Sequence, residues 1–122
     1  MEIPFVSAEE IPVPPHEVRF RSVDVVPYPD GRRVKLTIAL TPFLKPPTIE
    51  IALFDATGKA VSGATIVENS ESRLSLTLHL RGACPPGGYQ ARCSAAYPDE
   101  GQVAEREVAF SLGRRDSVDE TG

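Results

Sequence analysis

From residue 18 to residue 112 the hydrophobic residues of this chain recur at every second position, in short runs broken by turn-forming residues. An extended strand sends alternate side chains to opposite faces, so each run predicts a strand with one apolar and one polar side. "VKLTIALT" is the cleanest, with Val34, Leu36, Ile38 and Leu40 inward and Lys35, Thr37, Ala39 and Thr41 outward. "IEIALF" turns Ile49, Ile51 and Leu53 inward, and "LSLTLHLR" does the same with Leu74, Leu76, Leu78 and Leu80. "YQARCSAAY" places Tyr89, Ala91, Cys93, Ala95 and Tyr97 on one side, and "EVAFSL" ends the series with Val108, Phe110 and Leu112. In "VRFRSVDVV" the phase slips between Phe20 and Val23, which predicts a bulge near Arg21 and Ser22. "VSGATIVE", residues 61–68, is a shorter strand.

The separators are turn chemistry: "PYPDGR", "TPFLKPPT", "DATGK", "ENSES", "GACPPGG" and "YPDEG". Pro presets φ, Asp bonds its own backbone and Gly supplies positive φ. No segment has a helical period. Seven short strands, each with one apolar face, predict an all-β fold: an immunoglobulin-like, two-sheet antiparallel β-sandwich. A barrel fits less well, because inner faces filled with Leu, Ile and Val leave no lining for a cavity. Residues 1–16 show no period and carry four prolines, so they read as an extended Pro-rich leader. The sandwich spans 17–113, and 114–122 reads as a disordered charged tail.

Charge narrows the function. The net charge of −4 sits entirely in the two terminal segments, while residues 16–113 hold eleven acids and eleven bases. A neutral domain lacks the basic excess of a nucleic-acid binder. No stretch approaches the ~20 apolar residues of a membrane-spanning helix. "MEIPFVSAEE" lacks the basic start and apolar run of a signal peptide, so the expected location is cytoplasmic.

Cys84 and Cys93 flank a Pro-Pro-Gly-Gly segment. In a strand that begins near Gly88, Cys93 lies about 16 Å along at ~3.3 Å per residue, whereas a disulfide needs Cα atoms roughly 4.4–6.8 Å apart. A bridge therefore requires Cys84 to fold back beside its own following strand. The alternative reading is that Cys93 is a small buried residue between Ala91 and Ala95 and Cys84 is a loop thiol. Two separated cysteines and the distant His16 and His79 make no metal-ligand pattern. Neither a nucleophile elbow nor a phosphate-binding loop is present. Glu105 and Glu107 share a strand face beside Arg106, where a solvated edge is the common meaning of paired carboxylates. The expectation is a non-enzyme with no cofactor.

"IEIALFDATGKAV" followed by "CPPGGYQARCSAAY" resembles the immunoglobulin-like and fibronectin-III-like modules of bacteria, including small uncharacterised single-domain proteins. The resemblance covers roughly residues 17–113 and implies a fold without an activity. It places Tyr89 as the corner tyrosine, whose hydroxyl bonds back to nearby backbone. The chain departs from antibody domains in having no Trp, and its cysteines are not at the positions that bridge the sheets.

Two surfaces of such a sandwich are candidates for binding. One is a loop end presenting Phe43, Leu44, Lys45, Pro46, Pro47, Tyr97 and Pro98, as anchors for a partner or as caps on the core. The other is the outer face of the sheet holding the third and sixth strands, with Ala52, Phe54, Ser94 and Ala96 outward and Arg92 at the rim. The reading is a protein-interaction module that docks a protein partner or a second copy. The alternative is an accessory domain binding a small molecule or carbohydrate at the loop end.

Overall fold

The computed structural model of the chain describes residues 11–81 and 85–112. Its seven strands are β1 (Phe20–Pro27), β2 (Arg33–Leu40), β3 (Thr48–Phe54), β4 (Ala60–Ile66), β5 (Arg73–His79), β6 (Gly87–Tyr97) and β7 (Gly101–Leu112), preceded by a 3-10 turn at Pro15–Glu17. All pairings between them are antiparallel, in a three-stranded sheet ordered β1-β2-β5 and a four-stranded sheet ordered β4-β3-β6-β7. This is the expected all-β, two-sheet antiparallel sandwich of seven strands.

The alternating residues meet between the sheets. Val34, Leu36, Ile38, Ile49, Leu53, Ala91, Cys93 and Ala95 are fully buried, with Val23, Leu78 and Phe110 around them. Burial of this surface is what stabilises the fold, at about 25 cal/mol per Å² of apolar area. The predicted bulge is present: Phe20 pairs with Leu40 and Ser22 with Ala39, so Arg21 is the additional residue. Ala39 departs from expectation. It lies on the outer side of β2 yet is 5% exposed, because its small side chain sits in the middle strand, in register with Ser22 and Arg73.

Leu74 and Leu76 also depart, being half-buried where full burial was expected. β5 is an edge strand, and it is tied to β4 only at one end. There the Ser62 hydroxyl donates to the His79 carbonyl (2.8 Å) and Arg81 N–H to the Val61 carbonyl (2.9 Å). The opposite side of the sandwich is closed by arginines. Arg106 donates to the Phe20 carbonyl (2.8 Å) and Arg19 to the Val103 carbonyl (3.3 Å), tying β7 to β1.

Turns behave as their residues demand. Asp55 Oδ1 accepts from Thr57 N–H, the Thr57 hydroxyl and Lys59 N–H, and Gly58 takes the left-handed φ of 89°. The Thr57 hydroxyl and those backbone donors hold the Asp55 carboxyl below its usual range. The Tyr89 hydroxyl donates to the Pro85 carbonyl at 2.8 Å, the corner bond that the resemblance implied. Tyr89→Phe is expected to lower stability by about 1 kcal/mol, since a partly buried carbonyl loses its donor; an unchanged urea midpoint would show the bond to be idle.

Cys93 is a free, buried thiol on β6, in register with Ile51 and Arg106. Cys84, the leader residues 1–10 and the tail 114–122 fall outside the described residues. Residues 11–16 of the Pro-rich segment are among those described. Val13 pairs in parallel with Phe43, and the 3-10 turn follows at Pro15, so this stretch lies along the domain.

Candidate functional site

The loop end is built mainly for packing. Phe43 is half-buried and packs against the core, while its segment exchanges backbone bonds with Val13: Val13 N–H to the Pro42 carbonyl and Leu44 N–H to the Val13 carbonyl, both 3.0 Å. Pro47 is fully buried, and its carbonyl accepts from Asn69 N–H at 2.7 Å. Tyr97 is buried too, with its hydroxyl donating to the Lys45 carbonyl (2.8 Å). Three of the seven candidate residues at this end therefore hold the sandwich shut. Leu44, Lys45, Pro46 and Pro98 remain exposed, with Leu44 at 64%.

The outer face of the four-stranded sheet is different. Pleating brings Ala52 and Phe54 of β3 and Arg92, Ser94 and Ala96 of β6 to one side, as alternation predicts. β7 supplies Glu105 and Glu107, in register with Ser94 and Arg92. Arg92 Nε lies 2.9 Å from Glu107 and 3.6 Å from Glu105, and its guanidinium sits over the Phe54 ring, 4.9 Å from the centroid. The two carboxylates are thus ion-pair partners that position one arginine. Such exposed pairs contribute little stability, on the order of 0–1 kcal/mol. Their effect is to fix where the cation stands.

Concavities of about 600 Å³ lie on either side of Arg92. One is floored by Ala52 and Gly63 and rimmed by Glu50, Arg81, Gln102 and Glu105. Gly63 keeps it open and keeps the strands close: a Cβ there would meet the Ile51 carbonyl oxygen at 3.0 Å. The other runs from Phe54 past the Asp55 turn to Gly88 and Phe110. Of these lining groups, Arg81, Glu50 and Gln102 were not singled out by sequence. Glu50 was findable, since it shares the parity of Ala52 and Phe54.

Among the described residues, no group of three or more His, Cys, Asp or Glu side chains is arranged to hold a metal ion. No helix there is long and apolar enough to cross a membrane.

No family model and no curated protein matches the chain. Solved structures share its fold. A β-glucuronidase of Bifidobacterium dentium, complexed with coumarin-3-O-glucuronide, matches with a TM-score of 0.61 at 13% identity, over 78% of this chain and 18% of that one. A family 76 glycoside hydrolase from a bovine Bacteroides thetaiotaomicron strain matches with a TM-score of 0.60 at 18% identity, over 76% of this chain and 20% of the other. A glycosyl hydrolase family 2 member from Bacteroides cellulosilyticus gives 0.55 at 13% identity, over 78% and 15%. The chain spans a fifth or less of the length of these enzymes. At these identities the likeness is one of fold.

Proposed function

We propose that the chain is a non-enzymatic binding module that takes a protein partner on the outer face of its four-stranded sheet. Phe54 carries the reading. It is a half-exposed ring held under the Arg92 guanidinium, on a face where Ala52, Ser94 and Ala96 are small and Glu50 stands beyond Ala52. Aromatic and arginine side chains dominate binding hot spots, and small neighbours let a partner surface approach closely. Arg92 is already fixed by Glu105 and Glu107, so less side-chain freedom is lost when a partner docks.

The test uses a partner captured from lysate of the source cells and then titrated as purified protein. Phe54→Ser is expected to keep the native fold by circular dichroism and to weaken binding at least about tenfold. An unchanged affinity for Phe54→Ser, together with a loss for Leu44→Ser, would move the site to the loop end and overturn the reading.

A second reading, binding of a carbohydrate or another polyhydroxylated small molecule, draws support from the concavity beside Arg92. Glu50 and Glu105 offer acceptors, Arg81 and Arg92 donors, and Gln102 both. The fold likeness to a small part of several glycoside hydrolases points the same way. Chemical shifts of β3 and β6 amides on titration with oligosaccharides, abolished by Arg92→Ala, would favour this reading over the first.

A further inference from the structure

The free edge of β5 is self-complementary. Its phase is fixed by two backbone bonds to β2: Leu40 N–H donates to the Ser72 carbonyl (2.7 Å) and Leu80 N–H to the Arg32 carbonyl (2.8 Å). Residues of an antiparallel ladder alternate between those that bond to the neighbouring strand and those that point away from it. The even-numbered residues from Ser72 to Leu80 therefore bond to β2. Arg73, Ser75 and Thr77 present N–H and C=O outward, and among the described residues no strand pairs with them. This edge lacks the usual protections: Arg73–His79 contains no Pro, its pairing with β2 has no bulge, and its inward residues are all leucine. Leu74 and Leu76 are left half-exposed, because β4 approaches β5 only beyond Thr77.

The sequence of the strand, Arg-Leu-Ser-Leu-Thr-Leu-His, reads alike from both ends in residue type. An antiparallel pairing centred on Leu76 sets Leu74 against Leu78 on the inner face and Ser75 against Thr77 on the outer, with Arg73 and His79 at the ends. The centre also satisfies the backbone phase, because it places the outward-pointing Ser75 opposite the outward-pointing Thr77 of the other strand. One matched hydroxyl pair of this kind already exists within the sheet, where the Thr37 and Ser75 hydroxyls lie 3.1 Å apart, and the Thr77 hydroxyl lies 3.2 Å from that of Tyr28.

We propose that β5 pairs with the β5 of a second copy of this chain about a two-fold axis at Leu76, joining the two three-stranded sheets into one continuous sheet. The pairing is isologous, so it closes at the dimer. It uses the sheet opposite Phe54 and is independent of the partner reading above.

Sedimentation of the full chain tests it. A seven-residue edge is a small interface, so mass should rise with concentration from 13.2 kDa toward twice that value. Over the same range, amide exchange at Ser75 and Thr77 should slow about tenfold while Leu74 and Leu76, already bonded to β2, stay unchanged. Ser75→Pro removes an outward-facing donor and the exposed hydroxyl contact with Thr37, leaves the even-numbered bonds to β2 in place, and should give a folded monomer. Should that variant fail to fold, the Ser75→Lys, Thr77→Lys double variant sets lysines against lysines across the axis and should also be monomeric. A wild type that stays monomeric to concentrations on the order of 1 mM overturns the proposal. So does a dimer that survives in the folded variants, or one that Phe54→Ser dissociates.

Discussion

Leu36→Ala is expected to destabilise the chain by about 3 kcal/mol, within the roughly 2–5 kcal/mol measured for buried Leu-to-Ala changes elsewhere. Leu36 is fully buried on the central strand of the three-stranded sheet, in register with Val25 and Leu76. Truncation removes three carbons from the inner layer, and the paired neighbours on both sides limit how far the site can collapse. Against a total of about 5–15 kcal/mol for a domain, this is a large share. The melting midpoint should fall by about 10 °C. Leu76→Ala removes the same atoms from a half-buried position and should cost about half as much. Urea unfolding of both variants checks the pair. Equal losses would mean that the β5 side is as tightly packed as the centre, and a loss below about 1 kcal/mol at Leu36 would contradict a close-packed inner face.

That contrast between centre and edge also explains what alternation can reveal. β2, β3 and β6 are flanked on both sides, so every inward residue there is covered and the period-two pattern reads directly as burial. At β5 the same pattern is intact, but coverage depends on whether the other sheet reaches that far, which is a property of sheet twist and divergence rather than of local sequence. The first residues of β7, 101–104, escape the pattern for a related reason. They carry no apolar stripe, being exposed or half-buried, and are held by pairing to β6.

The site was legible in its parts and not in its connections. Parity alone placed Ala52, Phe54, Ser94 and Ala96 on one outer face, and the sharing of a face by Glu105 and Glu107. The grip of these carboxylates on Arg92 depends on a register shift between Ala95 and Ala96. Tyr97 pairs with Gly101 and Ala96 with Gln102, and beyond the shift Ala95 pairs with Ala104. Without the additional residue Arg92 would face Arg106, and two cations would oppose each other. With it, Arg92 meets Glu107, and Arg106 turns to the Phe20 carbonyl. Turn residues announce a hairpin; they do not announce a bulge two residues into it. The loop end shows the converse. Phe43, Pro47 and Tyr97 were grouped correctly in space, but their use in packing follows from contacts with Val13 and Asn69, which no periodicity links to them.

Stability is expected to fall between about pH 9 and pH 11, through Cys93. Burial pushes its thiol up from 9.0 to about 11, against a smaller opposing pull from Arg106. The protonated thiol is neutral, so the raised value means that the folded chain keeps a proton which the unfolded chain releases above pH 9. With fewer protons bound in the unfolded state, the free energy of unfolding must decrease as pH rises. The contribution is fully present below pH 9 and is lost through the folded value, a total of about 3 kcal/mol. Tyr97, whose hydroxyl burial also raises above its usual range, acts with the same sign from about pH 10 upward. Urea unfolding of the wild type and of Cys93→Ala separates the two. The Ala side chain suits a position between Ala91 and Ala95, so the variant should fold, and its alkaline slope should be shallower by the Cys93 share. Equal slopes would show that this thiol ionises as easily in the folded chain as in the unfolded one, which a side chain sealed between two sheets does not permit.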